Sequence, residues 1–255
     1  MGDFVVAIPS YKRAEEQPTL KYLKGMGIRR EQIYIFVQTE NDLHAYKSRY
    51  DAQAQIEYRP ANSVAKARNN ILAYFDGSQN VLMLDDDIKR LAVLDGGKLS
   101  VIADGGAFIR LFSSCFNAVT GKGQLFGVYP VYNAFFMDNS ISTRVTVNTV
   151  LGFPKGYTVR MNGDAKAKED IELCGEIIAA GGCVYRFNNI AVDAKHRTNP
   201  GGCKDTWATD ENQKAVERLC FMFPDIFASK KGNPSEVRLV CKDKKIRIRE
   251  GWGTT

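Results

Sequence analysis

The chain has 255 residues and a mass of 28.4 kDa; 44% of its residues are hydrophobic and 25% are charged. These proportions are typical of a globular protein and exclude a disordered chain, and no apolar run reaches the roughly 18–20 residues of a membrane span. The formal net charge of +6 favours a polyanionic partner. The first residues lack the basic and apolar segments of a secretory signal, so we expect a cytoplasmic protein, in the host cytoplasm if the chain is viral.

The first ninety residues alternate between strand and helix patterns. Apolar runs at residues 4–8, 32–37, 55–58 and 81–84 predict four strands, and apolar residues at helical spacing follow the first and the third of them. The first strand is expected to stop at Pro9, since proline cannot donate a hydrogen bond to a neighbouring strand. This alternation predicts a Rossmann-like, mixed but mainly parallel sheet flanked by helices.

The second half of the chain is less regular. A turn is expected at residues 95–97, and Lys242–Lys244 is interpreted as a hairpin turn in a small basic C-terminal extension. We therefore expect an α/β core over residues 1–200 and, over residues 201–255, a helix and a hairpin-like extension packed on that core. The other predicted elements are helices at 107–119, 169–180 and 211–223, antiparallel strands at 125–136 and 144–151, and short strands at 184–187 and 190–192.

Three consecutive aspartates, Asp85, Asp86 and Asp87, follow directly after the fourth predicted strand. In open α/β sheets ligands bind at the carboxyl ends of the strands, and neighbouring carboxylates repel one another there unless a cation relieves the repulsion. Mn²⁺ and Mg²⁺ prefer oxygen ligands and often bridge to phosphates. The pattern predicts that Asp85 and Asp87 hold a metal-bound diphosphate; the alternative is a solvated acidic turn.

Polar residues also follow the first two predicted strands. Residues 9–13, Pro-Ser-Tyr-Lys-Arg, come after the first strand, and Glu40 comes after the second. Because the ends of parallel strands meet at one edge of a sheet, we expect both to converge with Asp85 in one crevice. In such a crevice the ring of Tyr11 can stack on a base and Arg13 can contact a phosphate.

Charged residues begin two of the predicted helices. Lys66 and Arg68 lie in the first turns of the helix after the third strand, where a nucleotide phosphate or ribose can bind. The alternative is a solvated helix face. Glu169 and Asp170 open a later helix, where acidic side chains are also favoured by the helix dipole alone.

The ordered set of these segments resembles the GT-A glycosyltransferases, and the family 2-like group most closely, over roughly residues 4–200. The resemblance implies a GT-A core and a metal-dependent, hexosyltransferase-type enzyme that uses a UDP-sugar. It assigns the DXD-type metal site, for Mn²⁺ or Mg²⁺, to Asp85, Asp87 and His196, and the catalytic carboxylates to Glu169 and Asp170, of which Asp170 is the base. The segments that carry the resemblance are Ile8–Arg13, Ala67–Asn69, Leu84–Asp87 and Glu169–Asp170. The implied nucleotide-sugar-binding residues are Pro9, Ser10, Tyr11, Arg13, Glu40, Lys66, Arg68, Asp85 and Asp86.

A narrower resemblance concerns the acceptor. The compact length, the segments Asp85–Lys89 and Glu169–Glu172 and the basic C-terminus are similar to viral TET-associated glycosyltransferases. This implies 5-hydroxymethylpyrimidines, 5-hydroxymethylcytosine above all, in double-stranded bacteriophage DNA as the acceptor. Residues 229–250 contain eight basic and three acidic side chains, a surface suited to phosphates unless it is only a charged, protective edge strand. The predicted DNA-binding residues are Lys242, Lys244, Lys245, Arg247 and Arg249, and the candidates for stacking on an extruded base are Trp207, Phe223 and Trp252.

Several alternatives to this function remain open. A nucleotidyltransferase usually carries a glycine-rich loop after its first strand, and residues 9–13 contain no glycine. A glycosyltransferase acting on a glycan or a small molecule, and a non-catalytic DNA-binding module, are the others. Processive polysaccharide synthesis is disfavoured, because the Glu169–Asp170 segment lacks a Gln-x-x-Arg-Trp continuation and no membrane helix follows it. We therefore expect a nucleotide sugar and DNA as partners, with no membrane; the oligomeric state is left open.

Overall fold

The computed structural model describes residues 3–119, 125–194 and 209–248. Within these ranges the chain forms six α-helices and thirteen β-strands, and eleven of the strands belong to one sheet. The elements up to the aspartates are β1 (Phe4–Ser10), α1 (Pro18–Gly25), β2 (Ile33–Val37), α2 (Glu40–Tyr50), β3 (Gln55–Tyr58), α3 (Val64–Phe75) and β4 (Asn80–Leu84). They are followed by β5 (Ile88–Asp95), β6 (Lys98–Val101), α4 (Gly105–Val119), β7 (Leu125–Tyr129), β8 (Ser140–Thr143), β9 (Val150–Phe153), α5 (Glu169–Ala179), β10 (Val184–Ala194), α6 (Thr209–Met222), β11 (Phe227–Lys230), β12 (Asn233–Leu239) and β13 (Lys244–Arg247).

The large sheet is mixed but runs mainly in one direction. Its strand order is β13-β8-β10-β7-β9-β4-β1-β2-β3, and β5 pairs with both β10 and β6. Strands β1 to β4 are mutually parallel, and following the pairings across the sheet gives eight strands in one direction against β5, β8 and β9 in the other. The predicted mixed, mainly parallel sheet flanked by helices is confirmed.

Hydrophobic side chains cover both faces of this sheet. Along β1, Phe4, Val6 and Ile8 face one core, and Val5 and Ala7 face the other, as the two-residue period of a strand requires. Helices α1, α2 and α4 pack on the first face, while α3, α5 and α6 pack on the second. No helix within the described ranges is both long and apolar enough to cross a bilayer.

We expected β1 to stop at Pro9, but the strand continues through Ser10. Its pairing with β4 ends at Ala7, whereas its pairing with β2 continues to Ser10 opposite Val37. Pro9 therefore lies beyond the last pair with β4, where its missing donor costs little.

The two antiparallel strands predicted at 125–136 and 144–151 are only partly correct. Residues 130–136 are not a strand, because Pro130 follows β7 and Asn133 caps a single 3-10 turn over Ala134–Phe136. Most of 144–151 is irregular, since Arg144 and Thr149 have positive φ angles of 60° and 57°. The two short strands predicted at 184–187 and 190–192 form one strand, β10, in which the register with β7 shifts between Phe187 and Ala191.

The hairpin in the basic C-terminal segment turns at a different place from the one predicted. It joins β11 to β12 and turns at Gly232, whose φ is +81°, so the hairpin turn predicted at Lys242–Lys244 is wrong. Asp243 instead accepts hydrogen bonds from Ser142 Oγ (2.7 Å) and Thr143 N (3.0 Å) of β8. This contact directs the chain to β8, where β13 becomes the edge strand of the large sheet.

Candidate active site

The loop after β4 carries the three aspartates and is fixed at its backbone. Asp85 N donates to Thr149 O at 2.9 Å. The hydroxyl of Thr19, which is fully buried in α1, donates to Asp85 O at 2.6 Å and accepts from Ile88 N at 2.9 Å. The loop is therefore held at both ends, next to the carboxyl end of β1.

Asp86 is turned inward and is held by residues that follow β1. Its carboxylate accepts hydrogen bonds from Ser10 Oγ and from Arg13 Nη1, and the same Arg13 nitrogen lies 3.9 Å from Asp87 Oδ2. Burial raises the pKa of Asp86 to about 6, although Arg13 and Ser10 oppose the shift. Ser10, Arg13 and Asp86, all predicted to bind the nucleotide sugar, therefore bind one another and support the loop that presents Asp85 and Asp87.

A buried tyrosine that sequence reasoning missed completes this support. The hydroxyl of Tyr46 lies 2.7 Å from Ser10 Oγ and accepts hydrogen bonds from Arg13 N and Gln17 Nε2, both at 3.1 Å. Tyr46 is fully buried, which raises the pKa of its hydroxyl well above the usual value. The signal in the sequence was a pair of tyrosines, Tyr46 and Tyr50, in a mostly polar helix, α2.

Arg68 joins the aspartates to the start of α5. Its side chain is 5% exposed, with Nη2 at 2.8 Å from Asp85 Oδ1 and Nη1 at 3.1 Å from Glu169 Oε1 and 3.8 Å from Asp170 Oδ2. Burial would lower the pKa of Arg68, but the three carboxylates raise it above its ordinary value. The guanidinium thus stays charged and fixes the spacing of these acids.

Glu169 and Asp170 begin α5 as predicted, directly after Lys168, whose φ is +58°. Burial raises the pKa of both carboxyl groups, and Arg68 opposes the shift in each. The side chain of Asp170 is the more accessible of the two, at 16% exposed against 11%, and Asp170 Oδ1 accepts a hydrogen bond from Ile171 N at 2.8 Å. Asp170 is therefore the better placed to meet a ligand.

We name Asp85, Asp86, Asp87, Glu169 and Asp170 the carboxylate cluster. Two guanidiniums, those of Arg13 and Arg68, face its five carboxylates, so the formal charge is −3 when all are ionised. Among the described residues no group of three or more His, Cys, Asp or Glu side chains has a geometry that could hold a metal ion. The side chains of Asp85 and Asp87, 31% and 12% exposed, are two hard oxygen donors that fit a divalent cation completed by phosphate and water oxygens. His196, the third predicted ligand, lies outside the described residues.

The other predicted nucleotide-binding residues surround the cluster without joining it. Pro9 is half-buried within β1, and Tyr11 is half-buried with the ammonium of Lys12 4.8 Å from its ring centroid. Glu40 is exposed in the first turn of α2, and Lys66 is exposed in the first turn of α3. In the described part of the chain neither Glu40 nor Lys66 forms an ion pair with the cluster.

The predicted DNA-binding residues within the described ranges lie in β13 or just before it. Lys245 pairs with Asp138 at 2.6 Å; burial alone would raise the pKa of Asp138, but hydrogen bonds from Lys245 and Ser140 hold it below the usual value. Lys242 is exposed but precedes β13, at the opposite end of that strand from residue 248. Phe223 is half-buried and packs against the second core beside Phe227, and its role in stacking stays a prediction. Lys244 and Arg247 lie in β13, and Trp207, Arg249 and Trp252 lie outside the described residues.

Two solved glycosyltransferases share this architecture. GalNAc-T7 with UDP, GalNAc and Mn²⁺ superimposes with a TM-score of 0.54 and 9% identity, over 88% of this chain and 49% of that chain. Glucosyl-3-phosphoglycerate synthase from Mycobacterium tuberculosis, solved with Mn²⁺, UDP and glucosyl-3-phosphoglycerate, gives a TM-score of 0.52 and 11% identity, over 90% and 84% of the two chains. At these identities the similarity establishes the fold, and the predicted GT-A fold is confirmed.

Sequence comparison identifies the family directly. Among curated protein sequences none matches this chain significantly. The family model of the TET-associated glycosyltransferases matches residues 4–202, more than three quarters of the chain. Both the predicted enzyme class and the narrower resemblance are thereby confirmed: the chain belongs to the TET-associated glycosyltransferase family.

Proposed function

We propose that this glycosyltransferase moves a hexose from a UDP-sugar to the hydroxymethyl group of a 5-hydroxymethylpyrimidine, preferably 5-hydroxymethylcytosine, in duplex bacteriophage DNA. The observation that carries the proposal is the carboxylate cluster at the carboxyl end of β4, where Arg68 joins Asp85 to Glu169. This is the edge of the sheet at which ligands bind in open α/β folds. The two solved relatives that bind UDP and Mn²⁺ support the choice of nucleotide and of a divalent metal ion, Mn²⁺ or Mg²⁺.

Asp85 and Asp87 are the proposed metal ligands, because their side chains are 31% and 12% exposed against 9% for Asp86. These two carboxylates would hold a divalent ion, which would supply positive charge opposite the leaving diphosphate. The buried contacts of Asp86 with Ser10 and Arg13 keep the two outer carboxylates in position. His196 stays the proposed third protein ligand.

The nucleoside is proposed to lie across the carboxyl ends of β1 and β2. There Tyr11 offers a ring on which a base can stack, and Glu40 is exposed at the start of α2 to hold the nucleoside. Lys66 is exposed in the first turn of α3, where its charge and the helix dipole both favour a phosphate. These three side chains are available to a ligand because none of them is engaged in the carboxylate cluster.

Asp170 is the proposed base. Its carboxylate takes the proton of the acceptor hydroxyl while the oxygen bonds to the anomeric carbon and the bond from that carbon to the diphosphate breaks, releasing UDP. The raised pKa of Asp170 makes its carboxylate a stronger proton acceptor than an ordinary aspartate. Glu169, which lies closer to Arg68, holds the guanidinium that orients Asp170.

Duplex DNA is the proposed acceptor on the basis of charge and position. Strand β13 runs in the same direction as β4, so its carboxyl end reaches the same edge of the sheet. Five strand spacings separate β13 from β4, about 24 Å, which is the length of about seven base pairs. A duplex with its modified base at the carboxylate cluster would therefore pass the carboxyl end of β13, and Arg247 and Arg249 stay proposed phosphate contacts on their charge and their place in the sequence.

Thermal unfolding with nucleotides tests the donor site. We expect UDP to raise the melting temperature only when Mn²⁺ or Mg²⁺ is present, and more than GDP, CDP or ATP does, since ligands that bind the native state stabilise it by mass action. Asp87→Ala should abolish the shift. The matched control is Asp51→Ala at the far end of α2, which should leave it unchanged. A shift with ATP alone would instead favour a nucleotidyltransferase.

Sugar transfer to defined duplexes tests the acceptor. Radiolabelled UDP-glucose, UDP-galactose and UDP-N-acetylglucosamine are offered with one duplex that contains either 5-hydroxymethylcytosine or cytosine. We expect label only in the hydroxymethylated duplex and only with metal, and none with Asp170→Asn. A protein that binds UDP with metal but labels neither duplex has a different acceptor, such as a glycan or a small molecule.

A further inference from the structure

Two phenylalanines are exposed in a short turn between β7 and β8. Phe135 is 86% exposed and Phe136 is 58% exposed, and their ring centroids are 5.2 Å apart with the rings nearly perpendicular. They occupy the 3-10 turn Ala134–Phe136, which Asn133 caps by accepting a hydrogen bond from Phe135 N at 3.0 Å. Two adjacent large apolar side chains that are exposed to solvent indicate a surface that contacts another molecule.

This aromatic turn, residues 134–136, belongs to the same edge of the sheet as the carboxylate cluster. Strand β7 runs in the same direction as β4 and is separated from it only by β9, a distance of about 10 Å. Just before the turn, the ring of Tyr132 lies 4.8 Å from the guanidinium of Arg90. Arg90 is only three residues from Asp87 along the chain, which ties the aromatic turn to the aspartate loop.

Basic side chains flank the aromatic turn on two sides, two of them in ion pairs with aspartates. On the side of the cluster, Lys89 and Arg90 are exposed in β5, and Arg90 pairs with Asp193 at 2.9 Å. On the other side, Lys245 of β13 binds Asp138, and Ile248 N donates to Asn139 O at 3.1 Å, directly after the turn. Phenylalanine rings between basic side chains suit a nucleic acid, whose bases stack on aromatic rings and whose phosphates attract the cations.

We propose that Phe135 and Phe136 enter the DNA duplex beside the modified pyrimidine and occupy the space that it leaves when it turns out towards Asp170. This inference rests on the proposed DNA acceptor. The side chain of Asp170 is 16% exposed and therefore recessed, so we expect a base to leave the stack before its hydroxyl reaches this carboxylate. Enzymes that act on a base extrude it, and apolar side chains that insert between base pairs offset the lost stacking.

The test compares a duplex and the identical single strand, each with one 5-hydroxymethylcytosine. For the double variant Phe135→Ala/Phe136→Ala we expect kcat/KM on the duplex to fall about tenfold to hundredfold, and kcat/KM on the single strand to change less than about threefold. Phe221→Ala is the matched control, because Phe221 is 87% exposed on α6 and should change neither value. The conservative variant Phe135→Trp should retain duplex activity.

A second readout follows extrusion itself. With 2-aminopurine in the place of the target base, the wild-type protein should increase the fluorescence of the duplex and the double variant should not. Equal activity of wild type and double variant on the duplex, or an equal loss on duplex and single strand, would overturn the proposed insertion of Phe135 and Phe136. If the wild type labels neither form of DNA while still binding UDP with metal, the proposed DNA acceptor is wrong, and the insertion that depends on it is wrong as well.

Discussion

The buried guanidinium of Arg68 pairs with the partly exposed carboxylate of Asp85, with Nη2 2.8 Å from Oδ1, although one residue lies in helix α3 and the other follows strand β4. The second nitrogen of the same guanidinium reaches Glu169 at 3.1 Å. A single cation therefore fixes the position of the aspartate loop relative to the first turn of α5. A lysine in this place has one charged nitrogen and cannot hold both acids in the same geometry.

Replacing this cation should destabilise the protein. Arg68→Met would leave Asp85, Glu169 and Asp170 without their shared partner, and breaking a buried ion pair from one side costs about 3–5 kcal/mol. Urea unfolding of the wild type and the variant measures the loss. Arg49→Met is the control, because the exposed pair of Arg49 with Glu15 should contribute less than about 1 kcal/mol. Equal stability of Arg68→Met and wild type would contradict the structural role of Arg68.

The neighbouring aspartates should respond in opposite ways. Asp86→Asn removes the charge that binds Arg13 and Ser10, so we expect a loss of about 1–3 kcal/mol in the free energy of unfolding. Asp87→Asn removes one of five crowded carboxylates, so stability without metal should be unchanged or higher, while the metal-dependent effect of UDP disappears. Urea unfolding and calorimetric titration with UDP and Mn²⁺ distinguish the two variants. A large loss of stability in Asp87→Asn would show that Asp87 is structural.

The hydroxyl of Tyr46 should matter for both stability and donor binding. In Tyr46→Phe, Gln17 Nε2 and Arg13 N each lose an acceptor in a buried site, at a cost of about 1–3 kcal/mol. Because Arg13 supports the aspartate loop, we also expect a raised KM for the nucleotide sugar. The matched change is Tyr34→Phe in β2. It should change neither the free energy of unfolding nor the KM, because the ring at position 34 packs edge-on against Phe75 and is kept in the variant.

Gly152 should tolerate no side chain. A Cβ atom at this position in β9 would lie 2.1 Å from the ring of Phe126, which is fully buried in β7. Gly152→Ala is therefore expected to lower the free energy of unfolding by at least about 1–3 kcal/mol, the typical cost of overpacking a core. Gly25→Ala is the control: nothing lies within 4 Å of that Cβ position, and alanine favours the helix. A melting temperature of Gly152→Ala close to that of the wild type would contradict the packing of β7 against β9.

A direct displacement with Asp170 as base should invert the configuration of the sugar. The hydroxyl then attacks the anomeric carbon from the face opposite the diphosphate, so an α-linked UDP-glucose gives a β-glucoside. The anomeric proton coupling in the NMR spectrum of the glycosylated nucleoside measures this outcome. An α-product would exclude Asp170 as a simple base, because the acceptor would then approach from the face of the leaving group.

Most of the strand ends around the site could be predicted from the sequence. Apolar runs that stop at charged residues, such as residues 81–84 before Asp85, identify both the strand and the edge at which it ends. The order of such segments along the chain was enough to indicate the fold, because the parallel connections of β1 to β4 leave little choice of arrangement.

The supporting contacts and the C-terminal topology could not be predicted in this way. The hydroxyls of Tyr46 and Ser10 are hydrogen-bonded although the two residues are 36 positions apart, and a local sequence pattern cannot predict such a contact. The alternation of basic and apolar residues in the C-terminal segment indicates a strand but not its partner. The pairing of β13 with β8 depends on Asp243, whose carboxylate meets Ser142 and Thr143 about a hundred residues away.

The family-matched segment ends at residue 202, yet the large sheet is completed by β13 at residues 244–247. A fragment cut at the family boundary would lack this last strand, and the backbone N–H and C=O groups along the outer side of β8 would face solvent. An open strand edge of this kind is a template on which a second chain can add a strand. In the full chain β13 takes over this edge with only four residues, three of them lysine or arginine, and short, positively charged edge strands resist pairing with another chain. We therefore expect the fragment to self-associate more readily than the full chain.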